Sequence, residues 1–485
     1  MKRLFTICVV AVLAVISAKA QPRFERYPCV RDAKAVKPIG TRGVLPDTDR
    51  PWDPACVYRQ LVILVSFSDQ DFSTEDTQAY FDRLFNMRGF SERGVPGSVA
   101  DYFRDQSNGL FNIQFDVFGP IKVNKRMRDT SYGEAAFRMA AQQLVDSLDI
   151  DFSLYDWDGD KEVDQVYYLT AGYCANGGAS HVKGCLWPNT GSISSVRTPD
   201  GYRISAYSSS AEKWYNDIPC GLGTICHEFS HSLGLPDLYP TSGSGFSVVD
   251  EWDIMDGGNY TCWGWNPPNY SAVEKMLLGW LTPEDITGSG SITGMRPLSE
   301  GGTAWRSIIE GDEYYMLENR QQTGWDFGLP GRGLLITYVR YNRDVWKNND
   351  VNFRRPYRYD IIHADGMDYD AWDVFCRTEH MTEYEDTNNR FRRHHLSTSP
   401  YPFVNDTIEV RECRLEPWTF TNIQMDAEGS ISFDIVQAGT GIMNHTHCTM
   451  YDAMDKWYDL QGRCLPGSPL RKGLYIHNGK KVIIN

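Results

Sequence analysis

The apolar positions in the first half of the chain switch between two periods. Leu61-Val62-Ile63-Leu64-Val65-Ser66-Phe67 is a continuous apolar and β-branched run that ends before Asp69, the pattern of a strand buried on both faces and central to its sheet. Tyr80, Phe81, Leu84 and Phe85 then recur at helical spacing, and Phe137, Ala141, Leu144 and Leu148 do so after the breaker Gly133. Two helices are therefore expected behind the strand. Alternation from Ile113 to Val117 and the run Gln165-Val166-Tyr167-Tyr168-Leu169 add further strands, so residues 58–282 read as an α/β unit.

Near residue 285 the texture changes. Short apolar runs at Tyr314 to Leu317, Gly333 to Tyr338 and Ile431 to Val436 are separated by Gly, Pro and Asp turns, which predicts a mostly-β, sandwich-like domain over 283–439. Beyond Gly439, two strand-like runs, Gly473 to Ile476 and Lys481 to Ile484, flank His477-Asn478-Gly479-Lys480. Asn-Gly is a strong hairpin signal, so 440–485 reads as a small C-terminal β module. Residues 21–57 are rich in Arg, Pro and Asp without a sustained period and read as a leader or short pro-segment.

Composition narrows the classes of function. With 485 residues, 41% hydrophobic and 13% aromatic, the chain has material for more than one large core. A formal charge of -15 repels phosphate backbones and anionic membrane surfaces, which excludes nucleic acid as the expected partner. Lys2 and Arg3 precede an apolar run from Leu4 to Ile16, and Ala18-Lys19-Ala20 offers small residues for cleavage, so residues 1–20 read as a secretory signal peptide. The product is expected to be secreted, extracellular or at the cell surface. No later stretch is apolar enough for a membrane span, and a soluble monomer is expected.

Of the 12 cysteines, Cys8 leaves with the signal and the rest enter an oxidising compartment. Proximity suggests pairing Cys29 with Cys56, Cys174 with Cys185, Cys220 with Cys262, Cys376 with Cys413 and Cys448 with Cys464, although connectivity does not follow from sequence. Cys226 is left over, in the middle of an expected helix, and reads as a buried thiol acting as a small hydrophobe.

The chemistry is concentrated in HEFSHSLGLPD, residues 227 to 237. His227 and His231 are four apart, so on a helix both imidazoles leave one face one turn apart, the spacing that binds one zinc ion. Glu228 then lies beside the metal, where a carboxylate can take a proton from water acidified towards pKa ~7 and return it to a leaving amine. The plain alternative is a polar helix face with two solvated histidines. Gly234 speaks against it, because a glycine three residues after His231 can end the helix in a left-handed conformation. The turn, stiffened by Pro236, would carry Asp237 back as a third ligand and leave a position open for water. Downstream, Met255 in Trp252-Asp253-Ile254-Met255-Asp256-Gly257-Gly258 lies in a turn-prone context like the Met turn beneath a metzincin zinc; core packing explains a buried Met equally well.

On these residues the chain resembles the immune-inhibitor-A-like metallopeptidases, peptidase family M six, a metzincin-like group with Asp where most metzincins have a third His. DYFRDQSNG (101 to 109), DWDGDKEVD (156 to 164), the zinc motif, WDIMDGG (252 to 258), the Glu274 helix ending in LGW (278 to 280) and LENRQQ (317 to 322) all resemble that family's blocks. The resemblance covers roughly residues 60 to 435. It implies an α/β metzincin-like zincin catalytic domain followed by a β domain, a zinc endopeptidase acting on protein or peptide substrates. The leader is shorter than the pro-domains of many relatives.

Several residues admit two readings. Glu274 could replace Asp237 as third ligand, as the glutamate of a later helix does in thermolysin-like zincins. However, Ser271 and Glu274 also have the spacing of a capping box. Asp156, Asp158, Asp160 and Asp164 occupy positions 1, 3, 5 and 9 of a calcium-loop pattern. Lys161 and Tyr167 stand where an EF-hand has Gly and Glu, so the alternatives are calcium in a different loop or a solvated acidic turn. Cys29 in Tyr27-Pro28-Cys29-Val30 is either a thiolate cap on the zinc or a disulfide partner. Tyr458-Asp459-Leu460-Gln461-Gly462 and the terminal runs resemble the sorting tails of secreted Bacteroidetes proteins, against a plain disulfide-stapled module. A binding or adhesin protein with a structural zinc is the alternative function. The open coordination position and Glu228 argue against it, since structural sites are closed by four protein ligands.

Overall fold

The computed structural model describes residues 52–176, 179–242, 247–364, 400–405, 408–410 and 412–437, and the backbone of short strands before and after them. The expected signal peptide, Cys8, Cys29, Cys376 and Cys448 lie outside the described residues. Among the described residues, no helix is long and apolar enough to cross a membrane.

The first described element is strand β1 (Val30–Arg31), followed by β2 (Val57–Phe67), helices α1 (Thr77–Asn86) and α2 (Val99–Gln106), β3 (Asn112–Val123), and α3 (Glu134–Ser147). Next come β4 (Glu162–Val163), β5 (Val166–Tyr173), β6 (Asn189–Arg197), β7 (Arg203–Lys213) and helix α4 (Gly223–Ser232). The sheet order is β1-β6-β7-β5-β2-β3, with β4 also on β7. Its pairs are parallel except β6 against β7.

The continuous apolar run of β2 is explained by what covers it. Val62 and Leu64 join a core with Phe85 of α1, Phe103 of α2 and Phe229 of α4. Leu61, Ile63 and Val65 face the other way, towards Phe137, Ala141 and Leu144 of α3. A strand covered by helices on both faces has no polar side, so its sequence does not alternate. The helix expected through Leu148 stops one residue short: Leu148 is extended and exposed.

Beyond the short helix α5 (Ala272–Leu277) lie β8 (Glu284–Asp285), β9 (Gly290–Met295), β10 (Trp305–Glu310), β11 (Glu313–Arg320), β12 (Gly333–Arg340), helix α6 (Arg343–Lys347) and β13 (Tyr359–Ile361). They are followed by β14 (Phe403–Asn405), β15 (Ile408–Val410), β16 (Cys413–Leu415), β17 (Trp418–Met425) and β18 (Ile431–Gln437). Two larger sheets result, β13-β12-β11-β10-β8 and β16-β17-β18-β9, with β14 and β15 as a separate pair. Alternation along β11 joins the layers. Tyr315 and Leu317 meet Phe420 and Phe433 of the four-stranded sheet, whereas Tyr314 and Met316 enter the core that also holds Val62 and Phe229. The five-stranded sheet is thus a middle layer.

Arg320, at the end of β11, fixes this layer to the loop before α5. Its guanidinium is fully buried, donates to both carboxylate oxygens of Asp326 and to Glu318, and reaches the carbonyls of Trp252 and Asn269. A buried arginine is retained only when its donors are met, and here two carboxylates balance one cation. Past residue 437, β19 (Trp457–Tyr458), β20 (Cys464–Leu465), β21 (Gly473–His477) and β22 (Lys480–Ile484) form a small sheet. His477 pairs with Lys480 across the expected hairpin.

The cysteines depart from the pairing suggested by proximity. Cys174 Sγ lies 3.8 Å from Cys220 Sγ, both as free thiols, an approach that the pairing by proximity does not contain. The two thiols meet because Cys174 follows β5 and Cys220 follows β7, and these strands are adjacent in the sheet. Cys226 is a fully buried thiol within α4, as expected.

Candidate metal centre

Helix α4 lies between the sheet and the loop before α5, and all ten of its residues are buried. Its start requires glycine, because a Cβ on Gly223 would run into the carbonyl of Asn259. Its end is a Schellman turn: Leu235 N–H donates to Ser230 O, Gly234 N–H donates to His231 O, and Gly234 takes a φ of 103°. The reversal brings Asp237 back to the face that carries His227 and His231. Asp237 Oδ1 lies 3.4 Å from His227 Nε2 and 3.2 Å from His231 Nε2, and the three atoms fall within 4.8 Å of one another.

The far side of each ring is anchored. His227 Nδ1 is 2.7 Å from Ile254 O, and His231 Nδ1 is 2.8 Å from Leu235 O. A carbonyl accepts only from N–H, so each ring carries a proton on Nδ1 and turns Nε2 towards Asp237. Neither Nε2 nor Asp237 Oδ1 makes a hydrogen bond of good geometry, although all three are buried. Orphaned acceptors with two nitrogens and one carboxylate oxygen are the donor set of a zinc site, so these residues fit the metal. In the metal-free chain burial alone would raise the Asp237 pKa, but the neighbouring imidazoles of His231 and His227 outweigh it and hold the carboxyl far below its usual range.

The Met255 segment braces this arrangement from below. Ile254 supplies the carbonyl to His227, Met255 O accepts from Leu238 N–H beside Asp237, and Met255 N–H donates to Asp253 at 2.8 Å. One turn therefore holds both the first histidine and the chain just past the aspartate.

Glu228 is fully buried, and its Oε2 accepts from Thr190 Oγ1 at 2.8 Å. Thr190 lies on β6; Ser208 on β7 donates to the Glu228 carbonyl at 2.8 Å. Sequence reasoning missed both. In each case the partner is a small hydroxyl on a strand, with no local pattern to mark it.

The rival Glu274 is occupied elsewhere. It caps α5 with Ser271 in a capping box, accepting from Ser271 N–H at 2.8 Å, and lies outside the His227, His231 and Asp237 group. Burial, with Asp253 close by, pushes its pKa well above the ordinary carboxylate range. Of the four loop aspartates, Asp156, Asp158 and Asp164 offer oxygens within 4.8 Å of one another. Asp160 is not in that group; its Oδ1 accepts from Glu162 N–H at 2.9 Å.

Two imidazoles one turn apart, a carboxylate between them and a second returned by a glycine turn define the metallopeptidase class of site. Residues 186–280 match the family model described as Immune inhibitor A peptidase M6, catalytic domain. The chain is 22% identical over 285 residues to the pre-pro-metalloprotease PrtV of Vibrio cholerae serotype O1, a match covering 47% of this chain and 31% of that protein. It is 24% identical over 203 residues to Immune inhibitor A of Bacillus thuringiensis subsp. alesti, covering 37% of this chain and 27% of that protein. The chain thus spans about a third of the length of the curated relatives it matches. Residues 186–280 contain the helix and the turn described above, and the matches identify a metallopeptidase catalytic domain in this chain.

Proposed function

We propose that this chain is a secreted, zinc-dependent endopeptidase with a metzincin-like catalytic unit over 58–282, in which His227, His231 and Asp237 hold zinc and Glu228 is the general base and then the general acid. The observation that carries this reading is the convergence of three buried ligand atoms that lack good hydrogen bonds. Zinc bound there supplies Lewis acidity, which polarises a peptide carbonyl and acidifies water. Glu228, held through Oε2 by Thr190, accepts the water proton and passes it to the departing amine. The substrates are proteins or peptides.

Residues 21–57 act as a pro-segment in this reading. Its support is that β1 pairs parallel with β6, placing Val30 against Asn189 and Arg31 against Thr190, on the strand that holds Glu228. Asp156, Asp158 and Asp164 bind calcium, a reading supported by their converging oxygens. Residues 283–439 brace the catalytic unit, and 440–485 form a C-terminal module with a sorting role.

The test is casein hydrolysis by protein lacking the leader, wild type beside Glu228→Ala, with bound zinc quantified in both. Wild type is expected to cleave, and the variant to keep zinc while losing at least about 100-fold in rate, the scale of general-base catalysis. Zinc in both proteins with no cleavage by either would replace this reading with a binding protein holding a structural metal.

A further inference from the structure

Asp237 has a partner from a distant part of the chain. Asn349 follows α6 and is 112 residues away in sequence, yet its Oδ1 accepts from Asp237 N–H at 2.6 Å and its Nδ2 donates to Asp237 Oδ2 at 2.6 Å. The two bonds fix the amide orientation, since a flipped carboxamide would set N–H against N–H and oxygen against carboxylate. They also fix the carboxylate: with Oδ2 occupied, Oδ1 is the oxygen turned towards both Nε2 atoms.

The clamp is rigid because its own segment is built into the core. Trp346 of α6 is buried, Asn349 N–H donates to Trp346 O, and Asn349 O accepts from Thr241 Oγ1. Asn349 has a φ of 61°, a left-handed conformation that Asn tolerates better than most residues. Three residues on, the buried Asn352 donates to the carbonyls of Leu238 and Tyr359 and so ties the same loop to the chain beyond Asp237. An amide suits this position electrostatically. A lysine or arginine would neutralise Asp237 and compete with a metal cation, whereas a neutral N–H orients the carboxylate and leaves its charge available.

We infer that Asn349 is a positioning residue for the metal centre, holding Asp237 in its ligating orientation, and that the part of the chain after residue 283 thereby completes the site. This rests on the zinc reading above. The test uses the full chain stripped of metal, with zinc affinity measured by competition against a chromogenic chelator and with metal-free melting recorded separately. Asn349→Gly removes the clamp and keeps the left-handed backbone; Asn349→Asp keeps the shape but sets a carboxylate against Asp237. Both variants are expected to bind zinc roughly 10- to 100-fold more weakly than wild type. The cobalt-substituted forms are expected to show altered ligand-field absorption. Glu228→Gln, by contrast, is expected to keep wild-type zinc affinity. If both Asn349 variants bind zinc within twofold of wild type, whether or not their metal-free melting has shifted, Asn349 is only a loop brace and the inference fails while the zinc reading stands. If wild type itself takes up no zinc, the zinc reading falls and takes this inference with it.

Discussion

At the scale of single residues, a buried carboxylate needs a donor to fix its direction. Glu228 and Asp237 are both fully buried, and each takes its direction from a neutral group, Thr190 for one and Asn349 for the other. Charged donors would hold them more tightly but would compete for the charge that the chemistry uses. Thr190→Val keeps the shape of the side chain and removes its hydroxyl. It is expected to lower kcat about tenfold, equivalent to ~1.4 kcal/mol and close to the value of a hydrogen bond to a charged group. Zinc content and KM should stay at wild-type values, and steady-state kinetics with metal analysis reads all three. An unchanged kcat would mean that Glu228 needs no help from Thr190.

At the scale of elements, the helix supplies two of the proposed ligands and the way it ends supplies the third. Gly234→Ala keeps every ligand but adds a Cβ where φ is 103°. The expected cost is about 1–2 kcal/mol of stability, together with weaker zinc binding because the chain reaching Asp237 must relax. Chemical denaturation and the chelator competition measure the two effects, and a variant matching wild type in both would show that the turn needs no glycine. The acidic loop is a second element with its own test. Zinc-loaded protein is expected to melt lower with a calcium-selective chelator and to recover when calcium is returned; a melting point that does not move would leave Asp156, Asp158 and Asp164 as a solvated turn. The capping box of α5 shows how tertiary placement separates two readings of one glutamate that spacing left open. Glu274 Oε2 caps α5 with Ser271, and Glu274 lies outside the group formed by His227, His231 and Asp237.

At the scale of the whole molecule, the site is closed. His227, Glu228, His231 and Asp237 have no exposed surface, and the edge of β6 beside Thr190 is taken by Val30–Arg31. Extended peptides commonly bind by adding a strand to such an edge, so under the proposed function the leader and a substrate would compete for the same backbone groups. Protein lacking residues 21–51 is expected to hydrolyse casein faster than the full secreted chain at equal zinc content, and the leader added as a separate peptide should slow it again. Equal rates with and without the leader would remove its role in latency. The middle sheet belongs to the same physical unit, since Met316 of β11 shares a core with Phe229 of α4, and Arg320 joins β11 to the loop that carries Met255.

The elements and the local chemistry could be read directly from the chain. The period of Leu61 to Phe67 marked a doubly covered strand, the spacing of His227 and His231 marked one helix face, and Gly234 marked the turn, because each depends on backbone geometry over a few residues. Contacts between distant segments could not be read this way. Thr190 reaches Glu228, Asn349 reaches Asp237 and Cys174 meets Cys220 through the order of strands and the packing of loops that follow helices α4 and α6. Those depend on how whole faces pack, and no short window of sequence carries that information.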